Sequence, residues 1–206
     1  MKKTKAVVVY GGSFNPILYS HLSLAQHVLN TYAEVEKIIF VPVNCKYDKS
    51  GLEANKHRYK MVELAIKENK KFLLSDIEME KEEPVYTFQV LEEIQNQYPE
   101  YQIYFLLGTD NLKLLKTWKK AETLVKNYHF LVLERDQDFL ENIIEADPFL
   151  KENKKAFYKV ENSIHTNMSA TIVRNMIKEG KDIHYLTTDT VCDYIQENHL
   201  YKKRGK

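Results

Sequence analysis

Residues 6–26 read AVVVYGGSFNPILYSHLSLAQ. An unbroken apolar run rich in valine leads into a Gly-Gly-Ser turn, and helical spacing begins near Ser20. A run with no polar alternation is a strand buried on both faces, the kind that parallel sheets contain. Strand, glycine turn and helix in succession make the first βα unit of an open α/β sheet. The same alternation continues outward from it. Further apolar runs occupy Lys37–Val43, Phe72–Leu74, Ile103–Leu107 and Phe130–Leu133, with a weaker one, read as an edge strand, at Ala156–Val160. Between them, Ser20–Tyr32, His57–Glu68, Tyr86–Gln97 and Thr117–Asn127 place apolar residues three and four apart, as amphipathic helices do. After Asn167 two helical segments follow, Ser169–Glu179 and Thr188–Asn198, separated by the stop signal Gly180. The pattern predicts an α/β fold: a Rossmann-like, doubly wound, mainly parallel sheet with helices on both faces and a helical C-terminal segment.

The bulk numbers fit one domain over residues 1–206, with a sheet core at 1–166 and a helical segment at 167–206. Of 206 residues, 44% are hydrophobic and 29% charged, ordinary proportions for a chain able to bury one sizeable core. Thirty basic against 29 acidic side chains leave a net charge of +1, so no global field favours nucleic acid or an acidic membrane surface. No stretch has transmembrane length, and the short basic start is unlike a signal peptide. Two cysteines, Cys45 and Cys192, lack metal-site spacing and suggest neither a zinc site nor a disulfide framework, which fits a reducing cytoplasm. The charge clusters at Lys67–Lys71, Glu78–Glu83 and Lys151–Lys155 are expected to be solvated surface. A homo-oligomer is left open.

Chemistry is expected at the first turn. Without β-carbons, Gly11 and Gly12 let backbone amides approach phosphate oxygens, Ser13 and Phe14 continue the turn, and the next helix adds its partial positive charge. Neither the GxGxxG dinucleotide fingerprint nor a P-loop Gly-Lys-Ser/Thr is present, so the phosphate chemistry is of another kind. His21, in the opening turn of that helix, can donate a hydrogen bond to a phosphate oxygen; a surface or capping role is the plainer alternative.

GSFNPILYSH resembles the signature of the nicotinamide and nicotinate mononucleotide adenylyltransferases, within the HxGH nucleotidyltransferase superfamily. Leu18 and Ser20 stand where many bacterial members have the first histidine and the glycine, while His21 matches the second histidine, as in eukaryotic-type members. FVPVNCKYDKSGLEANKHRYKMVELA, after the second strand, is similar to another family segment, with Lys49 in the place of a phosphate-contacting lysine and Tyr47 beside it. In EEPVYTFQVLEEI, Thr87 matches a residue that holds the pyridine nucleotide, whereas Pro84, Gln89 and Val90 depart from the pattern. YFLLGTDNLKLLKTW looks like the family's Gly-x-Asp block. Gly108 would admit ligand to the backbone, Asp110 would accept from ribose hydroxyls, and Trp118, the sole tryptophan, would stack on the pyridine ring. NMSATIVRNMIKEG resembles the motif that closes the triphosphate site, with Ser169, Thr171 and Arg174 facing the β- and γ-phosphates. Plainer readings stand beside these: Lys49 as a solvated loop lysine, Thr87 as a helix-start residue, Asp110 as a cap and Trp118 as core.

The resemblance implies adenylyl transfer from ATP to nicotinate or nicotinamide mononucleotide, with small-molecule partners only. ATP would bind through Gly11, Gly12, Ser13, Phe14, His21, Gly108, Asp110, Ser169, Thr171 and Arg174. The mononucleotide would bind through Ser13, Phe14, Tyr47, Lys49, Thr87 and Trp118. Catalysis would fall to His21, Lys49 and Arg174, and Mg2+ would be held by ATP phosphates and water, with no protein metal ligands. Another acceptor within the superfamily, or a non-catalytic nucleotide-binding relative, is the alternative. The likeness spans nearly the whole chain apart from Arg135–Ser163.

Overall fold

The computed structural model describes residues 5–44, 51–79, 81, 83–134, 138–163 and 167–202. Six strands form one parallel sheet: β1 (Ala6–Gly12), β2 (Val35–Pro42), β3 (Phe72–Leu74), β4 (Gln102–Gly108), β5 (His129–Leu133) and β6 (Phe157–Lys159). Their order is β3-β2-β1-β4-β5-β6, so the winding reverses between β1 and β4. The long helices are α1 (Tyr19–Thr31), α2 (Asn55–Ile66), α3 (Thr87–Gln97), α8 (Ala170–Lys178) and α9 (Asp189–Glu197). Shorter ones are α4 (Thr109–Leu112), α5 (Ala121–Asn127), α6 (Leu140–Ala146) and α7 (Pro148–Glu152).

The period-two geometry of β1 divides the core. Ala6, Val8 and Tyr10 face α1, α2, α8 and α9 through Ala25, Val28, Met61, Val173 and Val191. Val7 and Val9 face the other layer, where Leu91 and Ile94 of α3 and Leu124 of α5 are fully buried. Burial on both sides is why β1 reads as an unbroken apolar run. The C-terminal helices share the core of the first face, so α8 cannot drift from β1 without exposing Val173 and its neighbours.

All six expected strands form, and the weak run at Ala156–Val160 is indeed the outer strand β6. Helical spacing over Thr117–Asn127 is realised differently. A 3-10 turn occupies Leu115–Thr117, Lys120 adopts left-handed backbone (φ 58°), and only Ala121–Asn127 is α-helical. This break lets Trp118 leave the helical path and pack edge-on against Phe105, with ring centroids 6.0 Å apart. Between β5 and β6 lie α6 and α7, the second opened by Asp147-Pro148: Asp147 accepts from the Phe149 N–H, and proline takes the first turn. Cys192 is a free, buried thiol, and burial pushes it up to about 11, which leaves it unreactive. No described helix is long and apolar enough to cross a membrane.

One buried cation braces the crevice end of the sheet. Arg58 of α2 is fully buried and donates to the carbonyls of Ser13 (2.9 Å), Glu53 (2.9 Å) and Val43, and to Asn55 Oδ1 (2.7 Å). Replacing it with methionine keeps volume but leaves three carbonyls without this donor. Arg58→Met is expected to lower unfolding free energy by about 3 kcal/mol, as read from urea denaturation; a loss under about 1 kcal/mol would show that the bracing is incidental.

Candidate active site

The first turn is shaped by aromatic packing as much as by ligand access. Phe14 has a left-handed backbone (φ 42°), uncommon for a bulky residue, and its ring is 2% exposed. The ring packs edge-on against both Tyr10 and His21, each at 5.4 Å between centroids. A β-carbon on Gly12 would come within 2.9 Å of that ring, and one on Gly11 within 3.3 Å of Phe105. The glycines therefore do two things: they open the backbone toward the crevice and make room for the rings beneath it. Phe14, expected among the ligand contacts, is mainly this wedge.

His21 is oriented by its own helix. Its Nδ1 accepts a hydrogen bond from the Leu18 N–H at 2.9 Å. An accepting Nδ1 carries no proton, so the neutral ring has its hydrogen on Nε2. Phe14 holds one side of the ring, and the backbone fixes the other. The Leu18 side chain, in the place of a histidine in many relatives of the motif, is fully buried in the core instead.

The late helix is brought to this turn by direct bonds. Arg174 of α8 donates through Nη1 to the carbonyl of Asn15 (2.8 Å) and through Nη2 to Thr171 Oγ1 (3.0 Å). Ser169 caps α8 by accepting from the Ile172 N–H at 3.3 Å. Thr187 donates to the Ile17 carbonyl, the Tyr19 N–H donates to Leu186, and the Tyr201 hydroxyl donates to Asn15 Oδ1, the first and last at 2.8 Å. Arg174 and Tyr201 thus converge on one residue, Asn15, from the far end of the chain.

Where the strand order reverses, a cleft of about 450 Å³ opens at the C-terminal ends of β1, β2 and β4. Gly11, Gly12, Ser13, Thr87, Gly108 and Trp118, all expected at the site, line it. Asp110 is exposed in the first turn of α4, and its neighbour Asn111 lines the cleft. Gln89 is turned back to accept from the Tyr86 N–H at 3.0 Å, capping α3, while Val90 is buried in the cleft wall. Lys49 and Tyr47 lie outside the described residues.

Glu78 corrects an expectation. Assigned to a solvated acidic cluster, it is only 6% exposed and lines the cleft. Its Oε2 accepts from the Asn44 N–H at 3.0 Å, and Asn44 Nδ2 donates to the Glu78 carbonyl at 2.8 Å. Burial pushes its carboxyl up to about 7, against the opposing pull of the Asn44 bond and the Arg58 charge. The roles of Asn15, Glu78 and Tyr201 have no local signal because their partners lie 34 to 186 residues away, and Arg58 reaches Ser13 across 45 residues. The one usable signal was that Asn15 and Arg58 sit inside segments already singled out.

Open parallel sheets bind nucleotides in the crevice where the winding reverses, and a glycine-lined cleft at that place marks a nucleotide-binding protein of the α/β class. Comparison with known proteins narrows the class. A family model described as "Cytidylyltransferase-like" matches residues 9–176. The "Probable nicotinate-nucleotide adenylyltransferase" of Flavobacterium johnsoniae is 35% identical over 95% of this chain and 98% of its own length. That of Caldicellulosiruptor bescii is 33% identical over 96% and 99%. Among solved structures, Plasmodium falciparum nicotinic acid mononucleotide adenylyltransferase complexed with NaAD superposes with a TM-score of 0.76 at 27% identity, covering 96% of this chain and 97% of that one. The chain belongs to the cytidylyltransferase-like family, and within it to the nicotinate-nucleotide adenylyltransferases.

The buried Glu78 makes stability depend on pH in a defined direction. Its folded value of about 7 lies above the ordinary 4.5, so between these limits the folded protein holds the extra proton. Stability from this site is therefore greatest below about pH 4.5 and falls as pH rises to about 7, by about 3 kcal/mol in all. Glu78→Gln keeps an acceptor for Asn44 but cannot ionise. Urea denaturation at pH 4.5, 6 and 8 is expected to show the variant gaining on the wild type as pH rises, whereas a difference constant with pH would remove the assignment.

Proposed function

We propose that this chain transfers the adenylyl group of ATP to the 5′-phosphate of nicotinate or nicotinamide mononucleotide, forming a dinucleotide of the NAD type and releasing pyrophosphate. The observation that carries this reading is the Arg174 guanidinium, bonded at once to Asn15 of the first turn and Thr171 of the late helix. Two anion-binding elements from opposite ends of the chain then serve one triphosphate. In this reading residues 1–166 supply the sheet core and 167–206 the phosphate-binding segment of a single nucleotidyltransferase domain working in the cytoplasm.

The acceptor phosphate attacks the α-phosphorus in line, opposite the leaving pyrophosphate. The attacking oxygen is already anionic, so no general base and no covalent enzyme intermediate are required. Catalysis is alignment plus stabilisation of charge spreading over the phosphoryl oxygens. His21 donates from Nε2 to the α-phosphate, a role its backbone-bonded Nδ1 prepares. Lys49 is assigned to the same phosphate; it precedes by two residues Gly51, whose carbonyl accepts from Asn15 Nδ2 at 3.0 Å. Ser169, Thr171 and Arg174 take the β- and γ-phosphates. Amides of Gly11 to Phe14 receive the nucleotide backbones, Gly108 and Asp110 the adenosine ribose, and Thr87, Tyr47 and Trp118 the pyridine end.

Among the described residues no group of three or more His, Cys, Asp or Glu side chains is placed to chelate a metal. In this reading Mg2+ comes with ATP, held by phosphate oxygens and water, where it would screen the charge of the departing pyrophosphate.

Initial rates of dinucleotide formation with each mononucleotide, at identical ATP and Mg2+, test the reading directly: pyrophosphate must appear in step with dinucleotide. His21→Ala is expected to lower kcat by about 10²–10³ with folding intact, measured by single-turnover kinetics. Unchanged chemistry in that variant would remove His21 from the mechanism.

A further inference from the structure

Beyond α9 the chain turns sharply to reach the first turn. The Leu200 N–H donates back to the Ile195 carbonyl at 3.0 Å, and both His199 (φ 52°) and Tyr201 (φ 61°) take left-handed backbone, which bulky side chains disfavour. Packing accounts for part of this: Leu200 is 5% exposed, and the Tyr201 ring lies against the core of the α8 and α9 face. Packing does not account for the Tyr201 hydroxyl, since a phenylalanine would fill the same space.

That hydroxyl donates to Asn15 Oδ1 at 2.8 Å, beside the Glu53 N–H, which donates to the same oxygen at 3.1 Å. Asn15 Nδ2 donates to the Gly51 carbonyl at 3.0 Å. With both polar atoms of its side chain held, Asn15 cannot rotate, and the direction of its backbone carbonyl is set. This carbonyl is the acceptor for Arg174 Nη1 at 2.8 Å. The other partner of Arg174 is Thr171 Oγ1, and among the described residues no carboxylate lies within ion-pair distance of the guanidinium. Its positive charge is therefore aimed by neutral groups and left for a ligand. A neutral donor on Asn15 preserves this. Burial holds the Tyr201 phenol well above its ordinary range, against the opposing charges of Arg174 and Arg58, so the hydrogen stays on the oxygen.

We propose that Tyr201 is a positioning residue for the transfer reaction, whose hydroxyl fixes Asn15 and, through the Asn15 carbonyl, aims the Arg174 guanidinium at the β- and γ-phosphates of ATP. The proposal rests on the adenylyl-transfer reading, which gives Arg174 that place. Tyr201 does not line the cleft, so it acts on the nucleotide through Asn15 and Arg174. The long arginine side chain gains from such an anchor, because its planar fork then meets phosphate oxygens already oriented.

The test is steady-state kinetics of wild type, Tyr201→Phe, Arg174→Met and the double variant, each varied in ATP and in mononucleotide. Tyr201→Phe keeps the ring and leaves Asn15 Oδ1 its Glu53 donor, so the fold is retained, as thermal denaturation will verify. In this variant kcat/KM for ATP is expected to fall about three- to tenfold, the scale of one hydrogen bond, with KM for the mononucleotide unchanged. Added to Arg174→Met, the same replacement is expected to cost nothing more, because the group it aims is gone. A rise in KM for both substrates, or a loss that multiplies with that of Arg174→Met, would make Tyr201 a general support of the fold and overturn the proposal. Unchanged kcat/KM for ATP in Tyr201→Phe would do the same. Wild-type protein that forms no dinucleotide from either mononucleotide would remove the adenylyl-transfer reading and this role with it, a result distinct from full turnover that is indifferent to the Tyr201 hydroxyl.

Discussion

Much of the site hangs on the hydrogen bonding of Asn15. The residue is 2% exposed, and a buried amide must satisfy its polar atoms or cost free energy. Here every satisfied atom reaches a different part of the chain. The backbone carbonyl takes Arg174, Oδ1 takes the Tyr201 hydroxyl and the Glu53 N–H, and Nδ2 reaches Gly51. The partners lie 36 to 186 residues away. Such closures form only when the sheet and both C-terminal helices are in place, so the first turn and the global fold are one cooperative unit. Tyr201 shows how deep this linkage runs: burial holds its phenol well above the ordinary range, keeping it a donor.

Around this hub the turn is held by sterics. Phe14 carries an unfavourable left-handed backbone, and the rings of Tyr10, His21 and Phe40 pack about it within 5.6 Å. Gly12 is the only type of residue that leaves that ring its place. Local strain of this sort persists where surrounding structure over-determines it, and it tends to collect at functional sites. For a reaction in which the protein supplies alignment in place of a nucleophile, a rigid turn is the useful property. The histidine inherits that rigidity from the Leu18 amide and the Phe14 edge.

Charge is distributed with similar economy. The chain as a whole is almost neutral, at +1, so any attraction for polyanionic substrates must be local. Arg58 is spent on backbone carbonyls beneath the cleft, and Arg174 bridges the turn and the late helix. Glu78, which lines the same cleft, has its carboxyl raised by burial to about 7. A fully ionised carboxylate there would oppose substrate binding, and desolvation lessens that conflict.

The α/β architecture was legible because each βα unit is a local pattern: valine-rich runs for strands buried on both faces, three-and-four spacing for the crossover helices, glycine at the first turn. The six strands, the edge position of β6 and the residue types at the first turn follow from neighbours in sequence. What sequence could not carry was anything decided by burial or by long closures. Glu78 sits in a charged cluster and reads as surface, yet the wall of the cleft covers it. Thr117–Asn127 reads as one helix, yet a left-handed Lys120 breaks it so that Trp118 can meet Phe105. Local periodicity encodes which face of an element is apolar. Only the packed sheet determines which distant groups then lie within a hydrogen bond of each other, because that distance depends on every element between them.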